Sequence, residues 1–212
     1  MNYCVVTADV RRSREVEDRR ALQEKILRLL DAVNRRQQAE LAVPFSITLG
    51  DEWQGVLRGV APGFRAALQF VEELYPNGLS VGIGFGSIET DLLPRSAEMD
   101  GVAFHRSRAA LDRAKEAGQE VLFSLGRESH DLLLNAASRL LQLVREDWTA
   151  AQFGKVRLFK QLGTEYGVAK ALGISQQSVN KTLRAAHART YLEQERKILR
   201  FLELEYGPEG NP

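Results

Sequence analysis

The chain holds one cysteine, two tryptophans and six prolines in 212 residues. A lone thiol, Cys4, can form neither an intrachain disulfide nor a thiolate metal cluster, so a stapled secreted scaffold and zinc-finger chemistry are excluded. Long apolar runs are missing too. No window nears the roughly 18 consecutive apolar residues of a membrane span, and Met1 to Asp9 lacks the basic stretch that opens a secretory signal. The expectation is a cytoplasmic protein without a membrane partner. Net charge is nearly absent at +1, and no repeat or low-complexity tract occurs. What is present, 44% apolar and 27% charged residues, is folded-protein composition, and the length allows one large or two small domains.

The even charge balance conceals an uneven distribution. Residues 151–200 carry ten Lys and Arg against three acids, and the remainder of the chain is correspondingly acidic. A basic block of this kind is the footprint of a segment that meets a polyanion, with a solvated helical surface as the alternative.

Hydropathy patterning divides the chain in the same way. From residue 2 to about 124, period-2 apolar runs alternate with helical stretches. Strands are expected at Tyr3 to Ala8, Val43 to Leu49, Gln54 to Val60, Leu79 to Ile88 and Glu120 to Phe123. Gly50-Asp51-Glu52-Trp53 serves as a hairpin link. Helices are expected over Leu22 to Val33, from Pro62 to Leu74, and over Val102 to Lys115. The order βαββαβαβ contains the ferredoxin-like βαββαβ series, so the fold class is α+β, a ferredoxin-like palm with additions followed by an all-α domain. Domain limits are expected at 1–126, 127–206 and a frayed tail at 207–212. In the helical part, Leu133, Ala137, Leu140, Leu141 and Val144 form a stripe, and Thr149 with Gln152 fits a capping box.

Residues 165–187 have the spacing of a helix-turn-helix. Ala169 is small where two helices cross, Gly173 permits the turn, Ile174 and Val179 fill the core beneath, and Ser175 caps the second helix. That helix, Gln176 to Ala186, then offers Gln176, Gln177, Asn180, Lys181 and Arg184 to DNA. Gln and Asn suit base edges, and Lys and Arg suit phosphates. A purely structural helical hairpin is the alternative. Beyond it, Leu192 and Leu199 stand seven apart with Ile198 and Leu202 alongside, which suits either a homodimer seam or packing within the domain.

In the first domain, Asp9 ends the first strand and Asp51-Glu52 sits at the tip of the hairpin. A ferredoxin-like sheet makes these ends neighbours, and two converging carboxylates form a hard oxygen site suited to Mg²⁺ or Mn²⁺. The alternative is a pair of turn residues chosen for backbone reasons.

Four segments, Thr7-Ala8-Asp9-Val10, Gly50-Asp51-Glu52-Trp53-Gln54, Gly82-Ile83-Gly84-Phe85-Gly86 and Asp100 to Arg108, together resemble the SatD family. The resemblance implies a palm similar to class III nucleotide cyclases and GGDEF cyclases. It implies metal binding by Asp9, the Val10 carbonyl and Asp51, with Asp9 and Asp51 as candidate catalytic groups and Mg²⁺ or Mn²⁺ accompanying a nucleotide. Glu52 matches the glutamate of the GGDEF hairpin, and Arg11, Arg12, Arg14, Arg106 and Arg108 are candidates for holding the nucleotide. Ile47 stands where cyclases carry an adenine-selecting lysine, and His105 and Ala109 replace an asparagine and a charge-stabilising arginine. Efficient cyclisation is therefore not expected. The combined expectation is a DNA-binding regulatory protein whose palm senses metal and nucleotide. The alternative is a two-metal nucleotidyl cyclase or transferase acting at Asp9 and Asp51.

Overall fold

The structure is a computed structural model that describes residues 1–207, apart from the side chain of Arg14. The expected tail beyond Gly207 lies outside the described residues. The elements run β1 (Asn2–Val10), α1 (Arg19–Arg36), β2 (Leu41–Leu49), β3 (Glu52–Leu57), α2 (Val60–Leu74), β4 (Leu79–Ser87), α3 (Val102–Glu116), β5 (Val121–Ser124), α4 (Glu128–Glu146), α5 (Ala150–Leu162), α6 (Glu165–Leu172), α7 (Gln176–Ala185) and α8 (Ala188–Tyr206). Short 3-10 turns at Ser13–Glu15 and Ser96–Glu98 were not anticipated from the pattern.

The chain divides into two units, 1–138 with 199–212, and 139–198. This division does not fall where the strand pattern ends. The first twelve turn-and-helix residues after 126 and the last turns of α8 belong with the sheet.

In the first unit the sheet order is β2-β3-β1-β4-β5. The first four strands pair antiparallel, which is the ferredoxin-like arrangement, and β5 adds to β4 in parallel. Alternation along β1 sorts its side chains onto two faces. Cys4, Val6, Ala8 and Val10 look toward α1 and α2, where Trp53, Phe45 and Phe70 meet edge to face and Phe64 meets Phe123. Val5, Thr7 and Asp9 look toward α3. Helix α1 forms because Leu22, Ile26, Leu29, Leu30 and Val33 recur on one buried face, and the Asp18 carboxylate caps it by accepting from the Ala21 amide at 2.8 Å.

Both sheet edges are closed by an asparagine. Asn34 of α1 accepts from the Phe45 amide at 2.8 Å and donates to its carbonyl at 2.9 Å, on edge strand β2. Asn135 of α4 does the same to Phe123 on edge strand β5, at 2.7 and 3.0 Å. Each side-chain amide supplies one donor and one acceptor to a strand with no further neighbour. Pro44 occupies β2, where a missing N–H is tolerated because the strand is an edge.

Three expectations need correction. The hairpin link is two residues, Gly50-Asp51, and Glu52 and Trp53 already belong to β3. Gly50 takes a left-handed φ of 60°, which makes so short a link feasible, and Trp53 is fully buried. On α4, Leu133 and Leu140 are 69% and 64% exposed, while Leu134 and Leu141 are buried. Leucines crowd both faces there, and the rotation is chosen by polar groups: Asn135 on β5 and Asp131, which accepts from the Leu125 amide at 2.7 Å. Finally, Ile174 is 36% exposed and does not fill the core, a place held by Val168, Val179 and Leu183.

Helix α3 lies directly on β4. Gly82, Gly84 and Gly86 alternate along the strand, all on the α3 face, and a Cβ at Gly82 or Gly84 would run into backbone atoms of Ser107, Leu111 or Ala103. Gly84→Ala should therefore destabilise the chain by about 2 kcal/mol or more, as overpacking against a backbone that cannot yield. Gly154→Ala, in an exposed helical position with open space around it, should instead stabilise by about 0.5 to 1 kcal/mol. Urea unfolding of the two variants checks both signs, and equal effects would contradict this account of the seat of α3.

Candidate functional site

The site in the first unit follows from the register of β1. Asp9 pairs with Glu52 on one side and with Ser80 on the other, and Thr7 pairs with Gln54. Asp9 and Glu52 are therefore cross-strand neighbours on the face that α3 covers. From that helix Ser107, Arg108 and Lys115 reach down. Ser107 lies within 2.7 Å of Thr7 Oγ1 and donates to the Gly82 carbonyl at 2.9 Å, and Gln54 Nε2 donates to Thr7 Oγ1 at 2.8 Å. This buried polar chain links β3, β1, α3 and β4 beneath the carboxylates.

Glu52 is 8% exposed and is gripped by Arg108, whose Nη1 and Nη2 each stand 2.6 Å from a carboxylate oxygen. Thr48 Oγ1 adds a third donor at 2.9 Å. Burial pushes the Glu52 carboxyl upward, but the Arg108 and Thr48 bonds outweigh it and hold the group below its ordinary value. Asp9 forms an ion pair with Lys115, in the last turn of α3. Here burial dominates, aided by the nearby charges of Asp51 and Glu52, and the Asp9 carboxyl is raised despite Lys115. Asp51 has a buried Oδ2 that accepts no hydrogen bond from the described residues.

The candidate nucleotide-holding arginines separate. Arg11 donates from Nε to Ser80 Oγ at 3.0 Å, beside Asp9's neighbour, and Arg12 is exposed in a left-handed conformation with φ 50°. Arg108 belongs to the site through Glu52. Arg106 does not: its Nη1 donates to the Phe85 carbonyl at 2.6 Å, so it fastens α3 to the end of β4. The helix turns Arg106 and Arg108 to different sides. The Arg14 side chain lies outside the described residues. His105 is 74% exposed and stands 3.2 Å from Asp100.

Lys115 went unnoticed in the sequence. Its signal is the i, i+7 spacing from Arg108, which puts two cations on one face of α3, two turns apart. It changes the reading of the metal ligands. A divalent ion at Asp9, the Val10 carbonyl and Asp51 would have to displace an ammonium already compensating Asp9, while Glu52 is committed to Arg108. Among the described residues no three His, Cys, Asp or Glu side chains are grouped to hold a metal ion. The Mg²⁺ or Mn²⁺ set that the resemblance implies has two carboxylates and one backbone carbonyl, and of these Asp9 is paired with Lys115.

In the second unit, the capping box of α5 is present: Gln152 and Thr149 bond each other's backbone at 2.8 and 3.2 Å. Thr164 caps α6 and Ser175 caps α7, with Gly173 left-handed at φ 64° between them. This is a helix-turn-helix over the expected residues. Gln176, Gln177, Lys181 and Arg184 are exposed, and with Asn180 and Glu165 they line an open groove of about 500 Å³. Asn180 is half-buried, and its Nδ2 donates to Glu165 at 2.9 Å, so the amide is not free to turn. Trp148 donates to the Ala186 carbonyl at 2.9 Å and packs on Tyr191, supporting the end of α7. Of the proposed seam on α8, Ile198 and Leu202 are buried within the chain, and Leu192 and Leu199 are half-buried.

Fold and sites together describe a palm-like α+β unit joined to a helix-turn-helix unit. The model of the SatD family matches residues 3–202, and the chain belongs to that family. No curated protein matches the sequence. Among solved structures, the catalytic core of a rhodopsin-guanylyl cyclase with converted specificity, in complex with ATPalphaS, is similar at 17% identity and a TM-score of 0.40, over 52% of this chain and 71% of that one. A bacterial light-regulated adenylyl cyclase is similar at 13% identity and a TM-score of 0.43, over 58% and 75%. A regulator of polyketide synthase expression from Bifidobacterium adolescentis is similar at 15% identity and a TM-score of 0.28, over 94% and 85%. No helix among the described residues is long and apolar enough to cross a membrane.

The neighbouring carboxylates should respond oppositely to substitution. Asp9 has a raised value, so its contribution is favourable below the ordinary Asp range of about 4 and is lost as pH rises through the folded value. Glu52 has a lowered value, so its contribution is present above the ordinary Glu range of about 4.3 and is lost as pH falls through the folded value. Asp9→Asn should accordingly raise the midpoint of thermal unfolding at pH 7, and Glu52→Gln should lower it. Both differences should shrink toward pH 3. Midpoints measured from pH 3 to 7 that shift in the same direction for both variants would refute these assignments.

Proposed function

We propose that this SatD-family chain is a DNA-binding regulatory protein in which the helix-turn-helix unit holds DNA and the palm unit provides a ligand-responsive input. The observation that carries the reading is the exposed face of α7, where Gln176, Gln177, Lys181 and Arg184 stand together along an open groove. Basic residues there attract phosphates, and the amides offer hydrogen bonds to base edges in a major groove. The basic excess of residues 151–200 supports the same partner.

The input is read from the cations around Asp9. Lys115 pairs with Asp9, Arg108 with the neighbouring Glu52, and Arg11 bonds Ser80 across from Asp9, so an anionic ligand such as a nucleotide would meet these cations at the end of β1. Such a ligand alters DNA affinity only by binding one state of the chain better than another. The enzyme alternative, acting at Asp9 and Asp51, draws support from the unpartnered Asp51 Oδ2. It is weakened by the pairing of Asp9 with Lys115 and of Glu52 with Arg108, and by Arg106 being spent on backbone carbonyls.

Lys181→Ala and Arg184→Ala should each weaken binding to duplex DNA and reduce the slope of log affinity against log salt by about 1, because one fewer counterion is released. A fluorescence-anisotropy titration at several salt concentrations measures this, and unchanged slopes would remove α7 from the interface. ATP and GTP, incubated with the protein with and without Mn²⁺ and then chromatographed, should be recovered unconverted. A cyclic or transferred product that disappears in Asp9→Asn would establish the enzyme instead.

A further inference from the structure

Among the described residues that line the groove, Glu165 is the one acid beside amides and cations. Its position is set locally. The Thr164 hydroxyl caps α6 by accepting from the Gly167 amide at 3.1 Å, which makes Glu165 the first residue of that helix. Its side chain is 12% exposed, and one oxygen, Oε1, accepts from both Asn180 Nδ2, at 2.9 Å, and Arg189 Nη2. The three residues come from α6, α7 and the first turn of α8, so the carboxylate joins all three helices.

This contact has a chemical consequence for Asn180. An ionised carboxylate has acceptors only, so the amide must turn its NH₂ toward Glu165 and its carbonyl oxygen the other way. A free asparagine offers either end to a base. One held in this manner turns its carbonyl oxygen to the base and keeps only its second N–H as a donor; the oxygen pairs with the exocyclic amino group of adenine or cytosine and repels the exocyclic oxygen of guanine or thymine. Arg189, on the same carboxylate, balances its charge near a polyanion.

We propose that Glu165 is a positioning residue for recognition: by fixing the Asn180 amide it imposes selection for an amino-bearing over an oxygen-bearing base edge at one position of the DNA site. The proposal deepens the DNA-binding reading and rests on it. It goes beyond the expectation that Asn180 suits a base edge, because the preference resides in a residue that itself need not touch the base.

The test uses the full chain. Duplexes selected from a randomised pool by the wild-type protein define a site, and Asn180→Ala identifies the position whose preference depends on that side chain. Competition among duplexes differing only there should show the wild type favouring adenine or cytosine over guanine or thymine on one strand by about tenfold. Glu165→Gln, nearly isosteric but able to donate as well as accept, should reduce this to about twofold or less and leave the salt slope unchanged. Glu165→Asp, whose shorter arm withdraws the acceptor, gives a second variant should the first fold poorly. An unaltered preference in folded variants overturns the proposal. So does a wild-type preference for guanine or thymine at that position, or the absence of any Asn180-dependent position. Failure of the wild type to bind duplex at all, or salt slopes indifferent to Lys181 and Arg184, overturns the DNA-binding reading itself, and that result is distinct from the others.

Discussion

The first unit depends on one contact, the seating of α3 on the glycines of β4. Because Gly82, Gly84 and Gly86 present no side chains on that face, the helix backbone comes down to the strand backbone. That closeness lets the short Ser107 side chain reach Thr7 and the Gly82 carbonyl. It also brings Arg108 and Lys115 over the two carboxylates that the β1–β3 register has set side by side. With a larger residue beneath it the helix would ride higher, and Asp9 and Glu52 would be left half-buried without their cations.

The same contact sets the charge of the site on the palm-like sheet. Two acidic side chains at this place suggest a divalent ion when only the strands are considered. The helix supplies two monovalent organic cations instead, and each acid meets one. Burial and pairing then compete with different outcomes: the bidentate guanidinium prevails at Glu52, and burial prevails at Asp9. In the reading proposed above, a negatively charged ligand would act on this pair by competing for Lys115 and Arg108.

Much of the fold was legible because its signals are local. The βαββαβαβ order, the buried stripe of α1, the capping box at Thr149 and the left-handed glycine between α6 and α7 all follow from spacing within a few residues. What escaped were features decided across the sheet. The α4 stripe was misplaced by one residue because leucines occupy both faces, and the choice between them rests with Asn135 and Asp131 on β5. Ile174 was expected inside from its place in the helix-turn-helix spacing, yet Val168, Val179 and Leu183 fill that space without it. In the site, Asp9 and Asp51 were singled out from the strand ends and Glu52 from the resemblance, but the pairing of Asp9 with Glu52, Lys115 and the Thr7–Gln54–Ser107 chain need the strand register and the helix seat to be known. Arg106 looked equivalent to Arg108 until helical phase sent it to the Phe85 carbonyl.

The second unit sets Lys181 and Arg184 on the exposed face of α7, with the amides of Gln176 and Gln177 at the start of the same helix. The most direct measurement of the central claim is hydrogen-exchange protection of the full chain with and without a selected duplex. The account predicts slowed exchange confined mainly to α6, the turn at Gly173 and α7, with the edge strands β2 and β5 unchanged. Protection of the sheet with α7 left exposed would contradict it.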